Sequence, residues 1–573
     1  MDTVSELLEA RLRAAFARVV PGSDPVLRPS ERADFQANGA LALARGLGRP
    51  PREVAAEVAA ALDLTDLATV EVAGAGFLNL TLTPAFLDAR LHALLGDERL
   101  GVARSDPPHR VVIDYSAPNV AKEMHVGHLR STVIGDALAA LERLGGEVVI
   151  ARNHVGDWGT PFGMLIEHLV ERGEDAGAAE LAIGDLTAFY QAARAAFDAD
   201  EGFRERSRAR VVALQAGDPE TRRLWRRLVD QSVAYFSEVY LRLGVSLSAA
   251  DIRGESSYND DLADVVAELD RLGLLADSDG ARCVFPPGFT NRDGEPLPLI
   301  VQKRDGGFGY AATDLAAVRD RVERLGADRL LYVVGTPQAQ HLAMVFAVAR
   351  QAGWLPDSVH CEHVAFGNVL GADHKMLKTR SGDTVKLIDL LDEAVERARH
   401  ALDERGATAG PAERDVLAVQ IARAAIKYAD LSTERQRDYV FDLDRMVAFE
   451  GDTGPYLQYA HTRVRSILRR AAAAGTEARP GAFVLGEEAA RALATSLLGW
   501  SDAVAAARAT AQPHRLCGYL FGLAQDLTAF YEACPVLSAP PALRAERLAL
   551  CELTARTLAQ GLAVLGIEAP ERM

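Results

Sequence analysis

A strand–helix–strand pattern at 110–152, a helix-then-strand pattern in the first hundred residues and an almost unbroken helical pattern after 389 predict an α/β chain. The expected architecture is a doubly wound, Rossmann-like parallel sheet between an N-terminal α+β domain, 1–100, and a C-terminal all-α helical bundle. A length of 573 residues gives room for these several domains.

The opening MDTVSELLEARLRAAFARVV reads as an amphipathic helix with early acidic residues. It lacks the compact apolar core of a secretory signal. VEVAGAGFLNLTL, 70–82, alternates around glycines like a strand pair, and SDPPHR, 105–110, reads as a linker. HRVVIDYS is a short apolar strand. The helix that follows places Val133, Ile134, Ala137, Leu138, Leu141 and Leu144 on roughly one face, and GGEVVIARNH returns as a second strand. Residues 164–245 are charged and helical and read as an insertion. ARCVF, LPLIVQ, RLLYVVG and VAFGNVL resume the alternation of strand and helix. The central domain is therefore expected over 101–388. A helical region, 389–573, follows it, with the bundle proper from about 450.

Charged residues make up 25% of the chain and the mean hydropathy is near zero, as in a soluble cytoplasmic protein. No apolar run approaches the ~20 residues that span a bilayer. The five cysteines have no CxxC spacing, so free thiols are expected, and no structural metal. A net charge of −17 argues against indiscriminate nucleic-acid binding but leaves a specific RNA partner open. Among 63 basic residues only Lys122, Lys303, Lys375, Lys378, Lys386 and Lys427 are lysine. Where arginine serves as the generic cation, lysine is expected to persist where a compact ammonium is required.

Two segments carry chemistry. In SAPNVAKEMHVGHLRST, 116–132, His125 and His128 are three residues apart at a helix start. Gly127 between them leaves room for a ligand to approach the backbone, and the helix N-terminus adds N–H groups suited to an anion. An isolated HxxH more often caps and packs, so the residues alone place a nucleotide only near this first βα turn. DHKMLKTRSGDT, 373–384, is a polar loop whose cations suit a polyphosphate, as they also suit plain solvent exposure.

HVGH resembles the HIGH signature of class I aminoacyl-tRNA synthetases. The longer runs SAPNVAKEMHVGHLRSTVIGDAL and RNHVGDWGTPFGML resemble the arginyl branch. The resemblance continues through VQKRDGGFGYAATDLAA, LLYVVGTPQAQH, LKTRSGDTVKL, FEGDTGPYLQYAHTRV and GIEAPERM, covering essentially the whole chain. It implies an arginine–tRNA ligase that uses ATP with Mg2+ as substrate, together with L-arginine and tRNA(Arg). It further implies a monomer without membrane contact that activates arginine only with tRNA bound. By the same resemblance, His125, His128, Lys122 and Lys378 are the catalytic positions, and Gly127, Lys122, Lys375 and Lys378 face ATP. The 373–384 loop resembles the KMSK loop in either of two registers. One is the literal Lys375-Met376-Leu377-Lys378; the other places its lysines on Met376 and Thr379. Lys122 is ranked above Lys378 as the ATP-neutralising cation.

A buried guanidinium requires carboxylates, because an unpaired buried cation is prohibitively costly. Glu255 and Asp314 are the candidates, with Tyr310 four residues before Asp314 on the same helix face. The resemblance adds Asn119, His128 and Gln338 to the arginine site. It assigns tRNA contacts to Phe77, Asn79, Tyr456, Tyr459, Tyr531 and Met573. His461, Arg463, Arg465, Arg469 and Arg470 suit phosphate contacts by their charge, as any one of these arginines more commonly suits a plain charged helix face. Three alternatives stand beside this reading: a duplicate synthetase with a biosynthetic or resistance role, a ligase with a non-tRNA acceptor, and a non-catalytic tRNA-binding paralogue.

Overall fold

The computed structural model describes residues 2–30, 32–159, 161–173, 186–378, 385–405 and 410–573. The chain forms two compact units. One joins Met1–Arg104 with Phe449–Val564 and Glu568–Met573; the other comprises Ser105–Ala448 with Leu565–Ile567. The helices between 389 and 448 therefore belong with the central sheet, and the two ends of the chain share a unit.

In the first unit, α1 (Val4–Val19) starts at a reciprocal cap. Thr3 Oγ1 accepts the Glu6 N–H at 3.1 Å, and Glu6 accepts the Thr3 N–H at 2.8 Å. β1 (Leu27–Pro29), β2 (Phe35–Ala37), β3 (Ala68–Ala73) and β4 (Phe77–Leu82) form an antiparallel sheet in the order β1-β2-β4-β3. Helices α2 (Gly39–Leu47), α3 (Pro51–Ala61) and α4 (Pro84–Gly96) complete this part. The expected strand pair is β3–β4. Along β4, Leu78, Leu80 and Leu82 point inward, which turns Phe77 and Asn79 to the other, half-buried face.

In the second unit, β5 (Arg110–Asp114), α5 (Val126–Leu144) and β6 (Val148–Arg152) form the expected βαβ, with β5 and β6 parallel and in register. The insertion is helical: α6 (Pro161–Arg172), α7 (Leu186–Ala199), α8 (Glu201–Ala216) and α9 (Pro219–Leu243). α10 (Asn259–Arg271) then leads to β7 (Leu275–Ser278), β8 (Ala281–Val284) and β9 (Leu299–Gln302). Here the structure departs from expectation. ARCVF and LPLIVQ make a separate antiparallel sheet, β7-β8-β9, rather than joining the parallel one. The reason is local: Asp279 and Gly280 both adopt positive φ and close a two-residue hairpin.

After α11 (Tyr310–Arg319) come β10 (Arg329–Tyr332), α12 (Ala339–Gln351) and β11 (His360–His363). The parallel sheet runs β11-β10-β5-β6. Sequence order reverses between β5 and β10, so a crevice opens at their C-terminal ends, the usual ligand position in such sheets. Apolar side chains of α10, α11 and α12, including Val265, Leu315 and Val345, pack with Val112 and Leu330 of the sheet. VAFGNVL contributes only β12 (Val369–Leu370), which pairs with β13 (Tyr439–Val440) outside the main sheet. α13 (Leu387–Glu404), α14 (Pro411–Leu431) and the short α15 (Leu443–Met446) close the unit. Arg130 of α5 and Asp430 of α14, both fully buried, form an ion pair at 3.3 Å between these layers.

The bundle comprises α16 (Gly454–Ala473), α17 (Glu488–Leu498), α18 (Trp500–Thr510), α19 (His514–Ala533) and α20 (Pro541–Val564). Arg491 of α17 forks onto both oxygens of Asp34 at 2.7 and 2.8 Å, and donates to the carbonyl of Leu82. The N-terminal sheet and the bundle are thus cross-braced within their common unit. Among the described residues no helix is long and apolar enough to cross a membrane.

Candidate functional site

The crevice is walled by the segment from β5 to α5. His125 is the N-cap of α5, and its Nδ1 accepts the N–H of Gly127 at 3.0 Å. His128 Nδ1 accepts the N–H of His125 at 3.1 Å, and the rings lie 4.1 Å apart. Burial and the charge of Lys122 lower the His125 pKa. Burial, His125 and Lys122 push His128 down to about 3. Both imidazoles are therefore neutral at physiological pH. With Nδ1 accepting in each, the proton must sit on Nε2.

The loop before the helix is strained: Ser116, Ala117 and Ala121 all have positive φ. Each such residue costs about 1–3 kcal/mol and persists only where its surroundings impose it. Buried Asn153, just beyond β6, accepts the Ala117 N–H at 2.9 Å and donates to the Tyr240 hydroxyl. Ser131 and Ser232 accept the amides of Ser116 and Ala121. Asn119 rides exposed on this loop, its Oδ1 so close over Gly156 that a Cβ there would sit 2.4 Å away. Lys122, also exposed, holds its ammonium 4.5 Å over the ring of Tyr190.

A second group of residues supplies carboxylates. Buried Asp157 accepts the N–H and hydroxyl of Ser256 at 2.8 and 2.7 Å, fixing the short turn that Glu255 opens. Burial, with the charges of Asp314 and Asp157, pushes Glu255 up to about 8. Asp314, in the second turn of α11, bonds through Oδ2 to His341 Nε2 at 2.6 Å, and its Oδ1 lies 4.0 Å from His154 Nε2. Tyr310 heads the same helix and is 71% exposed. Partial desolvation and the charge of Glu255 raise its hydroxyl pKa. Gln338, exposed, is the N-cap residue of α12. The raised Glu255 pKa means that a cation seated beside it would favour its ionised form.

The polar loop begins as a tight turn: Gly371 N–H donates to the Lys375 carbonyl at 2.8 Å, and Met376 bridges back to Leu370. Lys375 and Lys378 are exposed. Thr379 and the TRSG stretch, on which the shifted register depends, lie outside the described residues. The chain returns beside the histidines. Val126 N–H donates to Val385, Leu387 N–H donates to Met124, and Lys386 pairs with Glu123 at 2.8 Å. Buried Lys427 instead donates to the carbonyls of Gly244 and Gly566, a structural use of one of the six lysines. Among the described residues no cluster of three or more histidine, cysteine or carboxylate side chains is placed to hold a metal.

In the bundle, Tyr456, Tyr459, Arg463 and Tyr531 line one cavity of about 130 Å³, where the Arg463 guanidinium stacks 3.9 Å from the ring centre of Tyr531. The adjoining face of α16 grips the C-terminal segment. Gln458 donates to the Glu568 carbonyl, His461 Nδ1 to that of Pro570, Arg465 to the Glu571 carboxylate and Arg469 to its carbonyl. His461, Arg465 and Arg469 are thus engaged by the chain itself, on the segment that ends in half-buried Met573. On β4, Asn79 accepts from Gln36 at 2.8 Å.

Three family models match the chain. They are described as tRNA synthetases class I (R), catalytic domain, over 90–443; DALR anticodon binding domain, over 457–573; and arginyl tRNA synthetase N terminal domain, over 2–82. The arginine–tRNA ligase of Thermobifida fusca is 53% identical, with 99% of this chain and 98% of that one aligned. The chain belongs to the arginyl-tRNA synthetase family. The arginine–tRNA ligase of Frankia casuarinae is 52% identical over the whole of both chains. Among solved structures, arginyl-tRNA synthetase from Plasmodium falciparum superposes with a TM-score of 0.86 at 26% identity over the full length of both chains. The Thermus thermophilus arginyl-tRNA synthetase gives 0.81 at 26% identity over 99% of each.

Several residues that shape this family member's site were not singled out by sequence reading. Asn153 and Tyr240 hold the strained loop, and His154 and His341 flank Asp314. The available signal for His341 was its place three residues after Gln338 at a helix start, on one face of α12. For Tyr240 there was none, because its partners Asn153 and Ser116 lie 87 and 124 residues away.

Proposed function

We propose that this protein is an arginine–tRNA ligase that activates L-arginine with Mg·ATP and transfers it to tRNA(Arg). The observation that supports the reading is the grouping of Glu255 and Asp314, within electrostatic reach of each other and with Tyr310 beside them. The carboxylates receive the guanidinium, whose planar fork of donors matches them, and Tyr310 forms a wall. Asn119, Gln338 and His128 hold the α-amino and carboxylate end.

A carboxylate oxygen of arginine attacks the α-phosphorus, the bond to the bridging oxygen breaks, and pyrophosphate leaves. His125 and His128 present neutral Nε2–H donors to the charge growing on the α-phosphate, at a helix N-terminus that already favours anions. Lys122 neutralises the phosphates together with Lys375 and Lys378, and Mg2+ arrives with ATP and shares that charge. A ribose hydroxyl at the tRNA 3′ end then attacks the arginyl carbonyl and releases AMP. Catalysis is positioning and charge stabilisation, with no covalent intermediate on the protein. Phe77 and Asn79 on one part of the RNA-binding unit, and Tyr456, Tyr459, Tyr531 and Met573 on the other, contact the tRNA, where aromatic rings stack with bases. The protein acts as a cytoplasmic monomer.

The deciding experiment is pyrophosphate exchange with each proteinogenic amino acid, with and without tRNA. Exchange is expected with arginine alone, and only when tRNA(Arg) is present. Exchange with another amino acid overturns the specificity. Strong exchange with arginine but no RNA overturns the tRNA requirement.

A further inference from the structure

Asp314 is met by two histidines from two different segments at the C-terminal edge of the sheet. His341, in the first turn of α12, reaches Oδ2 at 2.6 Å, and His154, just past β6, faces Oδ1 at 4.0 Å. His154 is itself held, its ring packed 5.7 Å from that of buried Tyr258. A carboxylate at the end of a short side chain turns freely about its last bond unless something fixes its plane. A guanidinium fork needs both oxygens in one plane, whereas a point charge such as an ammonium accepts many carboxylate orientations. From this geometry we infer that His341 is a positioning residue for arginine selection: it fixes the plane of the Asp314 carboxylate so that its free lone pairs meet the guanidinium fork.

The hydrogen bond leaves Asp314 the capacity to do so. Each carboxylate oxygen has two acceptor sites, and His341 fills one of the four. Its Nε2 must carry a proton to bond a carboxylate. The bond to Asp314 raises the His341 pKa above the ordinary histidine value, as expected for a donor whose partner is anionic. The histidine touches the carboxylate and not the reacting phosphate, so its loss should appear in arginine binding rather than in the chemical step. It should also weaken the fork more than a point charge. The KM for arginine should therefore rise more steeply than the inhibition constant of ornithine, which carries an ammonium in place of the guanidinium.

This inference rests on Asp314 receiving the guanidinium, and its test separates the two claims. Aminoacylation by the full-length protein with tRNA(Arg) is measured for His341→Ala, His341→Gln, Asp314→Asn and the His341→Ala/Asp314→Asn pair. His341→Ala is expected to raise the KM for arginine about tenfold, the scale of one lost charge-assisted hydrogen bond, with kcat little changed. His341→Gln, which keeps a donor, should recover part of that loss. In the Asp314→Asn background the same histidine substitution should change KM by less than about twofold, because the two residues act as one unit. Equal effects in both backgrounds overturn the inference, as does a defect confined to kcat or an equal loss for ornithine. If His341→Ala does not fold, His341→Gln and its pair with Asp314→Asn supply the same cycle. A normal arginine KM in Asp314→Asn alone overturns the parent reading of the pocket and this inference with it.

Discussion

His128 closes the backbone of His125: its Nδ1 accepts the His125 N–H at 3.1 Å while His125 Nδ1 accepts from Gly127. Each ring is thereby committed to one tautomer before any ligand arrives, with Nε2–H free to donate.

For His128 this has a pH consequence. The folded chain holds its pKa at about 3, below the ordinary 6.5. As pH falls through 6.5 the unfolded chain takes up a proton that the folded site refuses, so stability is lost between about pH 6.5 and pH 3. His128→Asn should flatten that dependence and slow adenylate formation by about 10²–10³-fold. Denaturant midpoints at two acidic pH values and single-turnover pyrophosphate release measure both. A wild-type rate in the variant would reduce the histidine to a helix cap.

Lys122 and Lys378 are predicted to be unequal. Lys122 sits within electrostatic reach of both histidines and is held over Tyr190, whereas Lys378 lies on the exposed loop. Lys122→Ala should slow activation by roughly 10²–10³, more than Lys378→Ala does. The two single-turnover rates, compared at saturating ATP, decide it. A larger defect at Lys378 would favour the literal register of the loop.

Glu255 should behave as a proton switch coupled to arginine. Its carboxyl stands at about 8, above the ordinary 4.5, so the empty folded site keeps a proton at neutral pH that the unfolded chain has shed. Stability therefore falls as pH rises through that window. An arriving guanidinium favours the ionised form, so binding should release a proton near neutral pH, and affinity should rise with pH up to about 8. Calorimetry of arginine binding to the tRNA complex, in buffers of different ionisation heat, reads the proton count. Glu255→Gln should release none.

The Arg130–Asp430 pair predicts a stability loss remote from the chemistry. Both side chains are fully buried, and Arg130 also donates to the Arg437 carbonyl at 2.8 Å. Asp430→Asn strands a buried cation and should destabilise the central unit by about 3–5 kcal/mol. Denaturant unfolding followed at Trp158, Trp225 and Trp354, all in that unit, measures it. Replacing both partners with apolar residues of similar volume should recover much of the loss.

The parallel sheet was legible where hydrophobic runs and glycines were local, as in HRVVIDYS and GGEVVIARNH. β1 and β2 were missed because three-residue strands carry too little periodicity to rise above loop. ARCVF and LPLIVQ read as strands, but nothing in an apolar run says which sheet it joins. The Asp279-Gly280 hairpin did say so, and was overlooked. At the crevice, the residues with distinctive chemistry could be named from motifs. Their supporting groups, Asn153, Tyr240, His154 and His341, act through contacts between distant segments, which no local pattern encodes.

The fork of Arg491 onto Asp34 spans a sequence separation of 457 residues. Asp34 emerges from the ribosome long before its partner exists, and residues 105–448 of the central unit are synthesised in between. The N-terminal sheet must wait in a provisional state, its acidic anchor solvated, while the intervening residues fold as a unit of their own. Closure of that long loop is slow to nucleate, because the entropy of joining its ends is spent before the contact rewards it. On biosynthetic time, the Arg491–Asp34 brace is thus among the last contacts to form, together with the seating of Leu565–Ile567 in the central unit, where buried Lys427 waits for the Gly566 carbonyl.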